Sequence, residues 1–284
     1  MSNKHPDKQN LLKTDNFPVL PIENWYFDKL KIIQSYIKAY HNRFDLRNKT
    51  KMLVYIGAGP GLVATPADEY PLQGTPLDIL ASAGKFQRYL FCEKDPAYAQ
   101  ALKVRIGQHF PQAHTVIVAG DINQTIEKLP PYLPDKIGGS PTAILCIVDV
   151  QSFDIDFATM EVLAAMDVDL LLVNSYVHTD YYTYKFYLEE ERETLNGYFG
   201  TSWARLAESG DVHSDTSFFL LVVKAYLEQL RHLGYNVTGT LHKYNLPATP
   251  VPYYQIAYCT KSKVLKSLKE KMVAEASKQI KLFD

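Results

Sequence analysis

Residues 53–62 read LVYIGAGPGL, an apolar run that ends in glycines at positions 57, 59 and 61. The run predicts a buried strand over about 52–57. Alternate glycines directly after it describe a backbone that must turn sharply, or lie against something that leaves no room for a Cβ. Pro60 stiffens this turn by fixing its own φ, and it disfavours helix at Gly59 before it. Outward from this point, apolar strands are predicted at about 88–92, 115–119, 142–148 and 169–174, separated by segments of helical period or loop composition. Such alternation predicts an α/β fold of Rossmann-like type, a mostly parallel sheet with helices on both faces.

The flanks read differently. The first two dozen residues are polar, then proline-punctuated in NFPVLPIENW (16–25), and predict an arm lying on a surface. WYFDKLKIIQSYIKAY (25–40) places Phe27, Leu30, Ile33, Ile37 and Tyr40 at helical spacing. After Asn174 the sequence predicts a long Tyr- and Glu-rich helix from about Asp180, a loop around 197–210 and a helix over about 217–233. Two strand-like runs follow, YNVTGTLHKY (235–244) and YYQIAYCT (253–260), close enough to pair antiparallel, and a lysine-rich amphipathic helix runs from about Lys263. No internal repeat or low-complexity linker interrupts the chain. The expected organisation is an N-terminal arm and helix (1–50) packed on one elaborated domain (51–284) with an insertion at about 178–215.

Composition narrows the function classes. With 284 residues, 46% of them apolar, the chain can bury a sizeable core. A formal charge of -1 from 30 basic and 31 acidic side chains indicates neither a general polyanion binder nor an acidic tail. Cys92, Cys146 and Cys259 are far apart, form no CxxC pair, and each lies in an apolar run, so buried reduced thiols are expected. Without a signal-peptide pattern or an apolar run near the roughly 20 residues of a membrane span, a cytoplasmic, non-membrane protein is the expectation. No zinc-protease, nucleophile-elbow or P-loop pattern occurs, and no metal is implied. His178 with Asp180, and His213 with Asp215, are expected in loops where the Asp caps the next helix.

In an open parallel sheet, ligands bind outside the carboxyl ends of the strands. A dinucleotide site calls for G-x-G-x-x-G, but Leu62 stands where the last glycine would be, and the G-x-G-x-G spacing of Gly57, Gly59 and Gly61 favours S-adenosylmethionine over NAD. A purely structural turn is the alternative. The later strand ends add polar groups in order. Glu93, in YLFCEKD (89–95), is placed to accept from ribose hydroxyls. Asp121, in VIVAGDI (116–122), is placed to accept from an adenine amino group, or to cap the helix that follows. Asp149, in AILCIVDVQSF (143–153), reaches the cleft beside a sulfonium, and Asn174 and Ser175 end the fifth strand at the same rim.

These residues resemble the class I S-adenosylmethionine-dependent methyltransferases, whose sheet has seven strands with the last pair antiparallel. More narrowly, WYFDKLKIIQSYIKAY, AGPG (58–61), the insertion ending GTPLDIL (74–80), FCEKD (91–95), IVD (147–149) and YYQIAYCT resemble the three-Cys-motif partner family, in which the three-cysteine motif belongs to a partner protein. The resemblance implies methyl transfer from S-adenosylmethionine to an unidentified acceptor, nucleic acid or small molecule. It places Gly57, Gly59 and Gly61 at the methionine end, Glu93 at the ribose, Asp121 at the adenine and Asp149, the candidate catalytic side chain, at the methyl-transfer end. Two departures stand out: Tyr55 replaces the usual acidic residue two positions before the first glycine, and Asp149-Val150-Gln151-Ser152-Phe153 lacks the proline that holds a target nitrogen, though Phe153 remains to stack on a flipped base. They give weight to the alternative, a catalytically inactive methyltransferase-fold protein that binds a ligand or a protein partner.

Overall fold

The computed structural model describes residues 15–82, 86–176, 183–208, 212–243 and 253–262. The lysine-rich segment from Lys263, the residues His178 and Asp180, and part of the insertion lie outside the described residues. The elements run β1 (Leu20–Pro21), α1 (Trp25–His41), β2 (Thr50–Ile56), β3 (Leu62–Ala64), β4 (Leu72–Gln73), α2 (Thr75–Ala81), β5 (Arg88–Glu93), α3 (Pro96–His109), β6 (Thr115–Ala119), α4 (Ile122–Thr125), β7 (Lys136–Ile137), β8 (Ser140–Val148), α5 (Phe157–Ala165) and β9 (Asp169–Tyr176). Four helices and a strand pair follow: α6 (Tyr184–Glu189), α7 (Arg192–Phe199), α8 (Trp203–Glu208), α9 (Asp215–His232), β10 (Asn236–Lys243) and β11 (Tyr253–Thr260).

The main sheet has the order β10-β11-β9-β8-β2-β5-β6, with the two-residue β7 paired to the start of β8. From β2 the chain winds outward through β5 and β6, then crosses back to β8 and β9, all parallel. The crossing makes the junction of β2 and β8 the topological switch point, the place where open parallel sheets bind their ligands. β11 enters between β9 and β10 and runs antiparallel to both, in the pairing expected from the two late strand-like runs.

Both faces of the sheet are covered, which is why its central strands are apolar throughout rather than alternating. Leu53, Tyr55, Phe91, Leu145, Ile147, Leu171 and Val173 pack with residues of α1, α2 and α3 on one face. Val54, Ile56, Leu90, Cys146, Val148 and Leu172 pack with α5, α7 and α9 on the other. All three cysteines are buried and unpaired in these layers. Burial pushes the Cys92 thiol up to about 12 and likewise raises Cys146 and Cys259 well above the usual thiol range. The native protein is therefore expected to leave a disulfide thiol reagent such as DTNB unreacted at pH 8, with three equivalents consumed only after denaturation; rapid reaction of the folded protein would contradict this packing.

Several local expectations are corrected. After Gly61 the chain enters β3, which pairs in parallel with β1 of the N-terminal arm, and helix resumes only at α2. The expected long helix from Asp180 is broken in its described part into α6 and α7, and the loop expected around 197–210 contains the short helix α8. Gly200, in the left-handed conformation at φ 63°, ends α7. Ser214 rather than Asp215 caps α9, in a reciprocal arrangement with Ser217. The buried face of α1 is Tyr26, Lys29, Ile33, Ile37 and Tyr40, so Phe27 and Leu30 are only partly covered and a lysine stands where an apolar residue was expected.

Candidate functional site

The turn after β2 is held on the end of β5. The amides of Gly57 and Ala58 both donate to the Cys92 carbonyl, at 3.0 and 3.1 Å. Gly57, Gly59 and Gly61 all have positive φ, at 81°, 68° and 89°, a region costly to any residue with a Cβ. At Gly57 sterics add to this: a Cβ would lie 2.0 Å from the Asp149 carbonyl oxygen, because the ends of β2 and β8 are in contact there. At Gly61 it would press on Leu102 and Leu77 at 3.0 and 3.2 Å. At Gly59 the space is open except for Leu20 Cδ2 of the arm, 3.8 Å away. Gly59 is therefore the glycine whose bare backbone neither strand packing nor helix packing requires.

Glu93 stands at the carboxyl end of β5 and is turned toward this turn. Its Oε2 accepts from the Gly59 amide at 2.6 Å and its Oε1 from the Asp95 amide at 2.9 Å. Burial raises the Glu93 carboxyl above the usual carboxylate range, and those two amides oppose the shift. Each carboxylate oxygen has more than one acceptor direction, so the side chain keeps capacity for a further donor. Asp95 next to it caps α3, accepting from the Ala97 and Tyr98 amides.

Asp149 follows β8, and its amide donates to the Ile56 carbonyl at 2.9 Å. Both oxygens of its carboxylate accept from this chain. Lys29 Nζ of α1 donates to both oxygens at 2.9 Å, and the Tyr55 hydroxyl donates to Oδ2 at 2.5 Å. The side chains of Lys29 and Asp149 are 8% and 10% exposed. Lys29 Nζ also lies 4.8 Å from the centre of the Tyr26 ring and 5.5 Å from that of Trp25. Tyr26 is anchored in turn to Thr75, whose amide donates to its hydroxyl at 2.7 Å. Burial, then the Asp149 charge, raises the Tyr55 hydroxyl well above its ordinary value, so it is a donor at all physiological pH.

A second set of contacts fixes the turn from below. Arg105 of α3 is fully buried. Its guanidinium donates to the Pro60 carbonyl at 2.7 Å and to the Pro18 carbonyl at 2.8 Å, and it forms a fork with Asp15 at 2.9 and 2.6 Å. One side chain thus ties the glycine turn to the N-terminal arm.

The structure brings together Gly57, Gly59, Glu93 and Asp149 at the switch point, as the strand ends require. Asp121 serves as an N-cap, accepting from the Asn123 amide at 3.0 Å through Oδ1; the helix it starts, α4, is only a single turn. Asn174 and Ser175 do not line a rim. Both are buried, and Asn174 Nδ2 donates to the Tyr198 hydroxyl at 3.1 Å beneath the α6–α9 layer. Phe153 offers no stacking face to a base. It is buried with its ring 5.0 Å from Tyr187, 5.1 Å from Tyr198 and 5.5 Å from Tyr176. Sequence reasoning missed Lys29 and Arg105. Each carried a signal: Lys29 falls on the helical face through Tyr26 and Ile33, and Arg105 on the face through Ala101 and Leu102.

The parallel strands wound outward from β2 in both directions, with β11 inserted antiparallel beside β9, settle the fold class. The fold is that of the class I methyltransferases. Solved structures similar to this chain include the methyltransferase domain of a bacterial Hen1 protein, at 10% identity and a TM-score of 0.45, covering 83% of this chain and 100% of that one. Another is magnesium protoporphyrin IX methyltransferase from Synechocystis with bound S-adenosylmethionine, at 10% identity and a TM-score of 0.41, covering 82% and 78%. Likenesses of this size add nothing to what the strand order already shows. No family model matches the chain, and no curated protein matches it in sequence. Among the described residues no helix is long and apolar enough to cross a membrane.

Proposed function

We propose that this protein binds S-adenosylmethionine at the switch point between β2 and β8 and transfers its methyl group to an acceptor, a nucleic acid or a small molecule. The observation that carries the reading is the pairing of Gly59 with Glu93: a left-handed glycine with only the Leu20 side chain, at 3.8 Å, near the place of its Cβ, beside a buried carboxylate at the next strand end. Burying that carboxylate costs free energy, and strand packing needs neither it nor the bare backbone at Gly59. A ligand with vicinal hydroxyls gives both a purpose. S-adenosylmethionine, when bound, supplies a methyl group activated by a sulfonium.

In this reading Glu93 accepts from the ribose hydroxyls, and Asp121 accepts from the adenine amino group through the carboxylate oxygen not used in capping. Gly59 lets the backbone lie against the methionine end, whereas the bare backbones of Gly57 and Gly61 are used by the Asp149 carbonyl and by the Leu77 and Leu102 side chains. Asp149 faces the methyl-transfer end. With Lys29 and Tyr55 both donating to it, Asp149 acts by orienting an acceptor rather than as a free base. The same contacts favour a second reading, in which the chain keeps the ligand site without transfer activity and works as a ligand-binding or partner-binding module. The three-Cys-motif partner family, which the sequence motifs resemble, fits either.

Glu93→Gln decides the ligand part. A ribose contact to a charged acceptor contributes about 1.5–3 kcal/mol, so calorimetry should show S-adenosylmethionine and S-adenosylhomocysteine both weakened by about tenfold to a hundredfold. Unchanged affinity in the variant, or no binding by the wild-type protein at millimolar ligand, would overturn it. A methyl-acceptor screen with the wild-type protein then separates transfer from binding alone.

A further inference from the structure

We infer that Lys29 sets the charge preference of the ligand site, cancelling the one carboxylate at the methyl-transfer end so that the site does not favour a sulfonium over the neutral thioether left after transfer. This rests on the proposed ligand and adds a residue that the glycine and carboxylate pattern does not include.

The geometry is specific. Asp149 lies against Gly57, its backbone carbonyl oxygen 2.0 Å from the position of the missing Cβ, and its carboxylate meets the hydroxyl of Tyr55, two residues before that glycine, so the charge stands beside the glycine turn at the switch point. A cationic ligand there would gain from a carboxylate and from the electron-rich faces of nearby aromatic rings. Lys29 takes both. Its ammonium donates to each Asp149 oxygen at 2.9 Å and sits 4.8 Å from the Tyr26 ring centre. The pair is nearly buried, so water screens it little. It is also braced from both sides: Tyr55 donates to the same carboxylate, and Tyr26 is pinned through Thr75. Tyr55 brings a neutral hydroxyl to this carboxylate, and its negative charge is neutralised by Lys29 of α1. The net charge of Lys29, Asp149 and Tyr55 together is zero.

S-adenosylmethionine and S-adenosylhomocysteine differ by the methyl group and one positive charge, which makes the ratio of their dissociation constants a direct probe. In the wild-type protein the ratio should lie near one or favour S-adenosylhomocysteine. Lys29→Met leaves Asp149 uncancelled and should shift the ratio toward S-adenosylmethionine by about tenfold or more. Asp149→Asn leaves Lys29 uncancelled and should shift it the opposite way. The double variant restores neutrality and should return the ratio to the wild-type value, which also keeps the test decisive if Lys29→Met alone folds poorly. Calorimetry reads the constants, and ligand-induced shifts in melting temperature give the same ordering independently of activity. Both ligands binding with a ratio unmoved in all variants would overturn the role of Lys29 while leaving the proposed ligand intact. Neither ligand binding any form would sink the proposed ligand itself.

Discussion

Gly57→Ala is expected to destabilise the protein by about 3–5 kcal/mol, or to prevent folding, a loss in the range reserved for named structural faults. Two costs coincide at this residue. Its φ of 81° penalises any Cβ, and that Cβ would fall 2.0 Å from the Asp149 carbonyl oxygen and 3.0 Å from the carbonyl carbon. Neither atom can step aside. Both belong to the backbone leaving β8, which is held to β2 by the Asp149 amide on the Ile56 carbonyl. Gly59→Ala provides the control, because φ is 68° but the nearest atom is the flexible Leu20 Cδ2 at 3.8 Å. It should cost about 1–2 kcal/mol. Urea unfolding followed by circular dichroism measures both; equal effects at the two positions would mean that the close approach of β2 and β8 is not real.

Removal of Arg105 should have a comparable effect by a different route. In Arg105→Met the Pro60 and Pro18 carbonyls lose their buried donor and Asp15 loses its ion pair. Unsatisfied buried groups cost about 1–3 kcal/mol each, and breaking a buried pair about 3–5 kcal/mol. Asp15 is 25% exposed, so water recovers part of its share, and about 3–4 kcal/mol in all is expected. The loss should also be localised: the arm at 15–22 should become sensitive to proteinase K while the sheet stays protected from hydrogen exchange. A pH signature accompanies it. Arg105 holds the Asp15 carboxyl below the usual carboxylate range, so this pair contributes fully above that range and is lost as pH falls through the lowered folded value. The wild-type arm should therefore loosen in acid over that window, and the variant should lack the dependence. An arm equally protected in both proteins would show that Arg105 does not fasten it.

The apolar runs of the sheet and the glycines beside them were legible because they express local rules. A strand covered on both faces must be apolar throughout, and a left-handed turn must be glycine whatever surrounds it. The observed β5, β6, β8 and β9 lie within two residues of the spans expected from the sequence. Glu93 at the end of β5 and Asp149 after β8 followed from the same reasoning, since a strand end in a parallel sheet has one place to go. Asn174 and Ser175 did not, because burial there is decided by α6–α9, which cover the end of β9 and supply the Tyr198 hydroxyl.

By itself, then, the sequence determined a parallel sheet with an antiparallel late pair, the position of its glycine turn and the acids at its strand ends. Tertiary structure decided what those acids touch: Glu93 the Gly59 amide, Asp149 a lysine 120 residues away in sequence. The physical reason is one of range. Backbone conformation and burial period depend on neighbours within a few residues, whereas the charge state of a crevice depends on every side chain that folding carries to it. A lysine on an apolar helical face is neutralised, exposed or functional according to a partner that no local pattern can name.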